Sequence, residues 1–593
     1  MSGILETGLR HQRAGQLAQA KAVYIQVLKV NPGQADALHL LGLIAHQVGQ
    51  DAIAVETIGR AIEIEPRIAL YRCSLGNALK GLGRFGEAKD AYAGAIRLTP
   101  DFAEAHYNLG TVLAVLGCVH DAAAAYGAAI RLKPDFAEAH YNLGMILLQL
   151  GQLERAAAAY RHAIRSKPDY AEAYGNLGKT LHELGLPAEA LAAYDAAIRI
   201  KPDLAEAHAN RGNVLRMLGR LADAADAHGE AIRLKPDFAE PHYNLGNTLK
   251  ALGRSDEAID AYNHAIRASP GFAEAHVNLG MELLLAGNLP RGWAEYDWRL
   301  RQASPLLQPR TFSKPQWRGE NLNGQRILLH AEQGLGDTIQ FCRYVPLVAA
   351  RGGVVTLEVP RPLVRLLSGL PGVTRLIAAG DPIPAFDVQC SLMSLPLAFE
   401  TAIDTIPQHM SYLAAKADTV SSWRTRLGPK SRRRVGLVWS GGFRPDQPEL
   451  DAVNRRRNIP LPLIGQLNHP GIDFISLQKG EPAEGELIAM RDVLWPEGNV
   501  YNAAPAIGDF QDTAGLIENL DLVISVDTST AHLAAAMGKP VWLLNRFDSC
   551  WRWLEDREDS PWYPSLRLFR QTRPGDWRGV MQRVGAALAS CYC

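Results

Sequence analysis

In the first half of the chain, apolar residues recur at helical spacing in short blocks, and the blocks come in pairs. One pair reads DFAEAHYNLGTVLAVLGCVHDAAAAYGAAIRLKP, from Asp101 to Pro134, and is divided at Gly117. Each unit is therefore predicted to be a hairpin of two helices. Prolines recur at a fixed interval of 34 residues, at Pro32, Pro66, Pro100, Pro134, Pro168, Pro202, Pro236 and Pro270. This interval predicts an array of helical repeats.

The small and aromatic positions of the unit are explained by packing between helices. Gly110 and Ala122 let the two helices approach, Tyr126 fills the space beside the next unit, and Pro134 ends the second helix. The unit resembles the tetratricopeptide repeat, in about nine copies from residue 1 to about 306. The resemblance implies a superhelix whose concave face is lined by the first helix of each hairpin.

An asparagine occupies the same place in the first helix of six successive units. Asparagine is a poor helix former, but its amide both donates and accepts, and so can pair with a peptide backbone. The column is similar to the asparagine ladder of nucleocytoplasmic protein O-GlcNAc transferase. Duplication of one ancestral unit would give the same column without a function. We expect it to bind a protein acceptor through Asn108, Asn142, Asn176, Asn210, Asn244 and Asn278.

The last unit departs from the others. It has Trp293 and Trp298 where smaller residues stand elsewhere, and Arg299 in place of the usual alanine. Bulky aromatic residues at a terminal repeat favour a surface that packs against the next domain.

From residue 325 the pattern changes to short apolar strands that alternate with helices, beginning with RILLH, VVTLEV and VTRLIA. Such alternation predicts parallel sheets with helices on both faces. The series restarts near residue 432 with RRRVGLV. We therefore expect two Rossmann-like domains that face each other across a cleft, with ligands bound at the carboxyl ends of the strands.

Three loops follow strands at those ends. In EQGLGD, Asp337 opens a helix after two glycines and is either a catalytic base or only a helix cap. WSGG, which begins at Trp439, is a weak glycine signal. In SVDTSTAHL, Asp527 ends a strand, and the free amides of the next helix suit a diphosphate. His532 lies within reach of the same anion, although a lone histidine is usually structural.

These loops resemble those of the heptosyltransferase-like group of GT-B glycosyltransferases, over about residues 325 to 590. The Gly-Asp of that group falls on Gly336 and Asp337, which makes Asp337 the implied base. Its Asp-Thr-Gly-x-x-His donor motif falls on Asp527, Thr528, Ser529 and His532. Serine replaces glycine at Ser529, so the resemblance implies a nucleotide-sugar donor without specifying heptose. The whole arrangement resembles bacterial tetratricopeptide-repeat proteins with a glycosyltransferase tail, some of them linked to flagellin glycosylation.

The residues fit this chemistry by themselves. A base must take the proton of the acceptor hydroxyl, and cations or dipoles must stabilise the leaving diphosphate. The sequence has no Asp-x-Asp pair at the site, so we expect metal-independent transfer with no cofactor and with a nucleotide-diphosphate or nucleotide-monophosphate sugar as donor. The expected donor-binding residues are Gly336, Trp439, Ser440, Arg457, Gln478, Lys479, Asp527, Thr528, Ser529 and His532.

A cluster of aromatic residues lies near the end of the chain. We expect it to pack between domains, the alternative being that it stacks on a base or a sugar. Its members are Trp551, Trp553, Trp562 and Tyr563.

The amino-acid composition limits the classes of partner and the cellular location that we expect. Lys plus Arg and Asp plus Glu are equal at 62 each, so the chain has no net field for nucleic acid or acidic membranes. The 7 cysteines are scattered and form no CxxC pair, which is typical of reduced thiols in the cytoplasm. No apolar run is long enough to span a bilayer. We expect a cytoplasmic protein.

The sequence thus predicts a multidomain chain: an all-α tetratricopeptide superhelix (1–306), a linker (307–324) and an α/β GT-B region. The GT-B region divides into an acceptor-side Rossmann-like domain (325–431) and a nucleotide-sugar-side domain (432–593). The predicted function is transfer of a sugar to Ser or Thr of a protein captured by the repeats, with flagellin as a candidate. A catalytically silent scaffold is the alternative. Transfer to a lipid or saccharide is a third reading, which the repeats do not favour.

Overall fold

The structure is a computed structural model that describes residues 2–302, 310–407, 411–442 and 454–592. The chain forms two compact units, Met1–Arg254 and Ser255–Cys593.

The first unit consists of helix hairpins. In the pair Ala103–Val115 and Val119–Leu132 the helices have 13 and 14 residues, and the neighbouring pairs have the same lengths. The other helices of the unit are Ser2–Arg13, Leu17–Val30, Ala35–Gln47, Asp51–Ile64, Ala69–Gly81, Phe85–Leu98, Ala137–Gln149, Leu153–Ser166, Ala171–Glu183, Pro187–Ile200, Ala205–Met217, Leu221–Leu234 and Ala239–Ala251.

The repeat glycines have the structural roles that the sequence predicts. Gly117 joins the two helices of its hairpin at a φ of +76°, in the left-handed region that favours glycine. A Cβ on Gly110 would lie 2.8 Å from the ring of Tyr126, so the two helices approach too closely for any side chain there. Ala122 and Ala129 are fully buried between the same helices.

The second unit begins with repeat helices, Ser255–Ala268, Ala273–Leu285 and Leu289–Tyr296. The last of these has only 8 residues and continues into the 3-10 helix Asp297–Arg301, whereas the equivalent helices of earlier repeats have 14. The final hairpin therefore ends differently from the rest.

Two parallel sheets follow. The first contains β1 (Arg326–His330), β2 (Val354–Val359), β3 (Val373–Ala378) and β4 (Val388–Ser391), in the order β3-β2-β1-β4. The second contains β5 (Arg433–Val438), β6 (Ile472–Ser476), β7 (Val500–Asn502), β8 (Leu522–Val526), β9 (Val541–Asn545) and β10 (Leu566–Arg570), in the order β10-β9-β8-β5-β6-β7. In each sheet the strand order reverses beside its first strand, between β1 and β4 and between β5 and β8. Such a reversal point is where sheets of this kind bind ligands.

Helices connect the strands. Among the described residues, the α-helices include Leu335–Phe341, Val345–Ala350, Val364–Leu367, Leu395–Ala398, Ala417–Leu427, Leu461–Gly465, Ala483–Leu494, Phe510–Glu518, Ser529–Ala536 and Trp577–Tyr592. Short 3-10 helices lie at Cys342–Tyr344, Arg361–Leu363, Leu392–Ser394, Ile403–Thr405, Ala504–Ala506 and Trp551–Trp553.

The last repeat packs against both α/β domains. Trp293 is 1% exposed, and its ring meets those of Phe341, Trp551 and Trp562 edge-on, with centroids 5.1 to 6.2 Å apart. Tryptophan and phenylalanine pairs in this geometry stabilise an interface beyond their buried area. Of the two tryptophans from which a docking surface is predicted, Trp293 thus packs against the α/β domains, whereas the ring of Trp298 stacks on His276 of the repeats. The expected aromatic cluster is buried in the same region, with Trp553 0%, Trp562 2% and Tyr563 1% exposed.

The described part of the predicted linker is ordered against the first sheet. Gln316 forms a parallel bridge with Gln389 of β4, and Trp317 and Leu322 are buried. Residues 307–309 of that linker lie outside the described residues. The predicted domain boundaries stay predictions. The compact unit that holds the α/β region also includes the last repeat.

The predicted fold class is confirmed: helical repeats precede an α/β region with two parallel sheets, as in GT-B enzymes. Within the described ranges, no helix has both the length and the apolar character needed to cross a membrane.

Candidate active site

The first wall of the site is the loop and helix that follow β1. Asp337 lies in the first turn of helix Leu335–Phe341, where its Oδ2 accepts a hydrogen bond of 2.9 Å from the Gly334 amide. Its Oδ1 forms an ion pair with Nη2 of Arg552. The N-cap of this helix is Gly334 rather than Asp337, whose carboxylate binds the N-cap amide from the third helical position and also presents a charge to the cleft.

Arg552 comes from the opposite α/β domain and is held firmly. Its Nε donates to Oε1 of Gln340 over 3.0 Å, and its guanidinium lies 4.1 Å from the centre of the Trp551 ring. Burial disfavours the charge, but Asp337 more than offsets this, so the pKa of Arg552 lies above its ordinary value. Arg552 is thus a fixed cation beside Asp337.

The second wall is formed by the turn after β8. The strand ends at Val526, so Asp527 directly follows it, and Thr528 is the N-cap of helix Ser529–Ala536. Arg457 donates from Nη1 to the carbonyl oxygen of Asp527 over 2.6 Å, which places a guanidinium at the same turn. The first amides of a helix have no partner within it and lie at the positive end of its dipole, an arrangement that suits an anion.

His532 lies one turn into this helix and is 4% exposed. Its Nδ1 lies 2.9 Å from the Tyr563 hydroxyl, its Nε2 lies 3.7 Å from Oδ1 of Asp527, and its ring stacks on Trp553. Burial lowers the pKa of His532 to about 4, although the Asp527 carboxylate acts in the opposite direction. At neutral pH, His532 is therefore an uncharged hydrogen-bonding group.

The two walls come into close contact at Gly336. A Cβ on this glycine would lie 2.9 Å from Cδ2 of His532 and 3.6 Å from Cα of Ser529. Only a residue without a side chain allows the two helices to begin so near each other. This approach brings the Asp337 carboxylate and the helix start at Ser529 to one space.

That space is a cavity of roughly 330 Å³ at the carboxyl ends of β1, β5, β8 and β9. It opens at the reversal point of the second sheet, between the ends of β5 and β8. Three arginines and two aspartates face it among mostly small residues. Its lining consists of Gly334, Leu335, Gly336, Asp337, Gly441, Gly442, Arg457, Asp527, Thr528, Ser529, His532, Arg546, Cys550 and Arg552.

Seven of the residues predicted for catalysis or donor binding line this cavity, namely Gly336, Asp337, Arg457, Asp527, Thr528, Ser529 and His532. Their roles stay predictions. The other four lie behind the wall or away from it. Trp439 is buried, Oε1 of Gln478 accepts from the amides of Trp439 and Ser440, and Lys479 donates from Nζ to the carbonyl of Ile507.

Sequence reasoning missed Arg546 and Arg552, two of the three cavity arginines. Arg546 directly follows β9, so the rule that placed the other loops could have found it. Arg552 has no such signal, because it reaches Asp337 across 215 positions of sequence.

The asparagine column is partly used within the array. Within the compact unit Met1–Arg254, Nδ2 of Asn142 donates to the Tyr107 hydroxyl over 3.2 Å, and Nδ2 of Asn176 donates to the Tyr141 hydroxyl over 3.0 Å. Each bond joins neighbouring repeats. The side chains of the column are half-buried, except that Asn244 is buried at 8%. Acceptor binding stays a prediction.

Family models match both the helical repeats and part of the α/β region. Models for tetratricopeptide repeats match residues 5–66, 76–117, 115–171, 147–205, 212–253 and 239–272. A model for glycosyltransferase family 9 (heptosyltransferase) matches residues 475–544, which include β8, the turn at Asp527 and His532.

Known proteins resemble parts of the chain. Protein FlbA of Caulobacter vibrioides is 32% identical over 337 residues, which are 51% of this chain and 53% of FlbA. The chain thus spans about half the length of this relative. Among solved structures, YrrB, a TPR protein with an unusual peptide-binding site, is 24% identical over 32% of this chain and 96% of YrrB, with a TM-score of 0.29. MamA is 28% identical over 27% of this chain and 93% of MamA, with a TM-score of 0.26.

Proposed function

Because this chain combines tetratricopeptide repeats with a glycosyltransferase family 9 (heptosyltransferase) domain, we propose that it is a protein glycosyltransferase. It takes a sugar from a nucleotide sugar and transfers it to a Ser or Thr hydroxyl of a protein that the repeats bind. The observation that carries this proposal is the cavity in which Asp337 faces the start of helix Ser529–Ala536.

The donor diphosphate is held on the side of the second sheet. The free amides and dipole of helix Ser529–Ala536 bind its oxygens, and Arg457 and Arg546 supply positive charge nearby. As the bond between the anomeric carbon and the diphosphate breaks, negative charge grows on the leaving group. Fixed dipoles and arginines stabilise that charge without reorganisation, so the transfer needs no metal ion.

The acceptor hydroxyl is activated from the opposite wall. Its oxygen attacks the anomeric carbon, and its proton passes to the Asp337 carboxylate as the new C–O bond forms. The ion pair with Arg552 holds the Asp337 carboxylate in place before the reaction. Arg552 is a further cation in the same cavity, where it also favours departure of the diphosphate.

The repeats supply the protein acceptor. Amide oxygens along the asparagine column accept hydrogen bonds from a peptide backbone irrespective of its sequence. Flagellin is one candidate acceptor, supported by the resemblance to repeat proteins of flagellin glycosylation and by the similarity to FlbA over half of each chain. A cytoplasmic location follows for an enzyme that uses nucleotide sugars and modifies proteins before export.

The base is tested by Asp337→Asn, which keeps the shape of the side chain but accepts no proton. We expect turnover at saturating donor to fall by at least about 100-fold, because general base catalysis typically contributes that much. Binding of nucleoside diphosphates such as UDP, GDP and ADP, measured by calorimetry, should persist.

A matched control is Asp381→Asn. Asp381 also pairs with an arginine, Arg361 at 2.9 Å, and also accepts from the amide three residues before it, that of Ala378 at 3.1 Å. It lies outside the cavity lining, so its variant should turn over normally. Near-normal turnover of the Asp337 variant would remove this residue from the mechanism. A parent protein that binds and consumes none of the UDP-, GDP-, ADP- or CMP-linked sugars would favour the scaffold alternative.

A further inference from the structure

Arg299, at the end of the last repeat, is buried where the other repeats carry alanine. Its whole side chain is 1% exposed. The equivalent residues of seven preceding repeats are fully buried alanines, Ala61, Ala95, Ala129, Ala163, Ala197, Ala231 and Ala265. A buried arginine must be paired to be tolerated, so its partners show what the substitution achieves.

The main partner of Arg299 is Glu332, in the loop that follows β1. Nε and Nη2 of Arg299 donate to the two carboxylate oxygens of Glu332, both over 2.8 Å. Such a two-point contact fixes orientation as well as distance. Nη1 donates to Oδ1 of Asp297 over 3.0 Å, and Nη2 also donates to Oγ of Ser394 over 2.8 Å. The guanidinium is thus surrounded by acceptors on both sides.

Glu332 is equally well held. The Ser391 hydroxyl, at the end of β4, donates to its Oε2. Burial opposes ionisation of Glu332, but Arg299 and Ser391 more than offset it, and the pKa of Glu332 lies below its ordinary value. The pair therefore fills the reversal point of the first sheet, between the ends of β1 and β4, with a residue from the repeats.

A second contact holds the next residue of the loop. Nε2 of Gln333 donates to the Tyr296 hydroxyl over 3.1 Å, and Tyr296 is 6% exposed. Arg299 and Tyr296 of the last repeat thus hold two successive residues of the loop. The residue that follows them, Gly334, binds the Asp337 carboxylate through its amide.

We propose that the last repeat is a positioning element of the active site: Arg299 and Tyr296 hold the loop 332–334 so that Asp337 faces the acceptor hydroxyl. This inference rests on the proposed function for its catalytic consequence. It assigns Arg299 and Tyr296 no contact with substrate. The glycosyltransferase half is accordingly incomplete without the final repeat.

The test compares Arg299→Ala and Tyr296→Phe with Arg301→Ala in the full chain. Arg301 lies in the same 3-10 helix, is exposed, and its guanidinium stacks on the Trp298 ring at 4.1 Å. Tyr296→Phe removes only the hydroxyl and serves if Arg299→Ala does not fold. Hydrogen exchange is followed in peptides that cover residues 332–338, and turnover is measured against a panel of UDP-, GDP- and ADP-linked sugars.

For Arg299→Ala we expect at least about tenfold faster exchange in that segment and an at least about tenfold lower kcat, because misplacement of a reacting group by about 1 Å can cost about 100-fold. Donor KM should change less than about twofold, since the donor wall belongs to the other domain. Tyr296→Phe should show the same pattern with smaller changes, and Arg301→Ala should match the parent.

Unchanged exchange in both site variants overturns the inference, whether or not the parent is active. Faster exchange with unchanged kcat in an active protein also overturns it, because the contact would then be structural only. If the parent consumes no sugar nucleotide, the proposed function fails, while the exchange data still decide whether the repeat holds the loop.

Discussion

Gly336→Ala tests the closeness of the two walls with a single methyl group. The added carbon would lie 2.9 Å from Cδ2 of His532, whereas ordinary contacts begin near 3.4 Å, so about 0.5 Å of movement is required. His532 cannot supply it easily, because Tyr563 and Trp553 hold its ring. We therefore expect the helix starts themselves to separate.

The energy and rate changes follow from this displacement. Overpacking costs about 1–3 kcal/mol, and replacing glycine by alanine in a helix returns about 0.5–1 kcal/mol. The net loss of stability should thus be about 1 kcal/mol. Because about 1 Å of misplacement can cost about 100-fold in rate, about 0.5 Å should lower kcat by roughly tenfold.

The assay is turnover at saturating donor, combined with thermal unfolding. Gly442→Ala is the matched control: this glycine also lines the cavity, but no described atom lies within 4 Å of its added carbon. It should therefore turn over within about twofold of the parent. Parent-like turnover of Gly336→Ala, with the protein folded, would refute the claim that catalysis depends on this close approach.

Three other outcomes are expected. The pKa of His532 is about 4 in the fold against 6.5 when free, so only the unfolded chain gains this proton between those values. Stability should thus fall with falling pH, by up to about 3 kcal/mol for this group, and His532→Phe should show a smaller fall in denaturant titrations at pH 7 and pH 4.5. Trp293→Ala should lower the free energy of unfolding by roughly 3–5 kcal/mol, and Trp298→Ala, which changes a half-buried residue, should lower it clearly less. Equal losses for the two variants would contradict the docking role of Trp293. The third variant changes four asparagines of the column to alanine, namely Asn176, Asn210, Asn244 and Asn278. Modification of the protein acceptor should then drop while hydrolysis of the sugar nucleotide continues, because hydrogen bonds to the acceptor are lost. Modification at the parent rate would exclude a role of the column in acceptor binding.

The repeats could be predicted almost completely because their determinants are local. A glycine such as Gly117, required at positive φ, and a glycine such as Gly110, required by a neighbouring ring, are visible in one sequence once the period is known. The long apolar strands were predicted for the same reason. β4 and β7 were not, since VQCS and VYN are short and partly polar, and only their pairing with β1 and β6 makes them strands.

The residues of the site that lie in loops at strand ends could be predicted from the sequence. That rule brought Asp337, Asp527 and His532 to one cavity from loops far apart in sequence. It also placed Lys479 near the diphosphate, whereas its amine binds the Ile507 carbonyl, because a strand end does not fix the direction of a long side chain. Arg552 depends on the approach of two domains, which no local pattern encodes.

The short final helix and Arg299, which lies just beyond it, also determine where repeats can be added to or removed from the array. Whole 34-residue units added or removed upstream of Ala273 would alter the surface offered to an acceptor and leave Tyr296 and Arg299 beside their loop. A unit inserted after Tyr296 would separate the two halves of that contact. Acceptor range can therefore be re-engineered from the amino-terminal side, by shuffling repeats, without rebuilding the catalytic cavity.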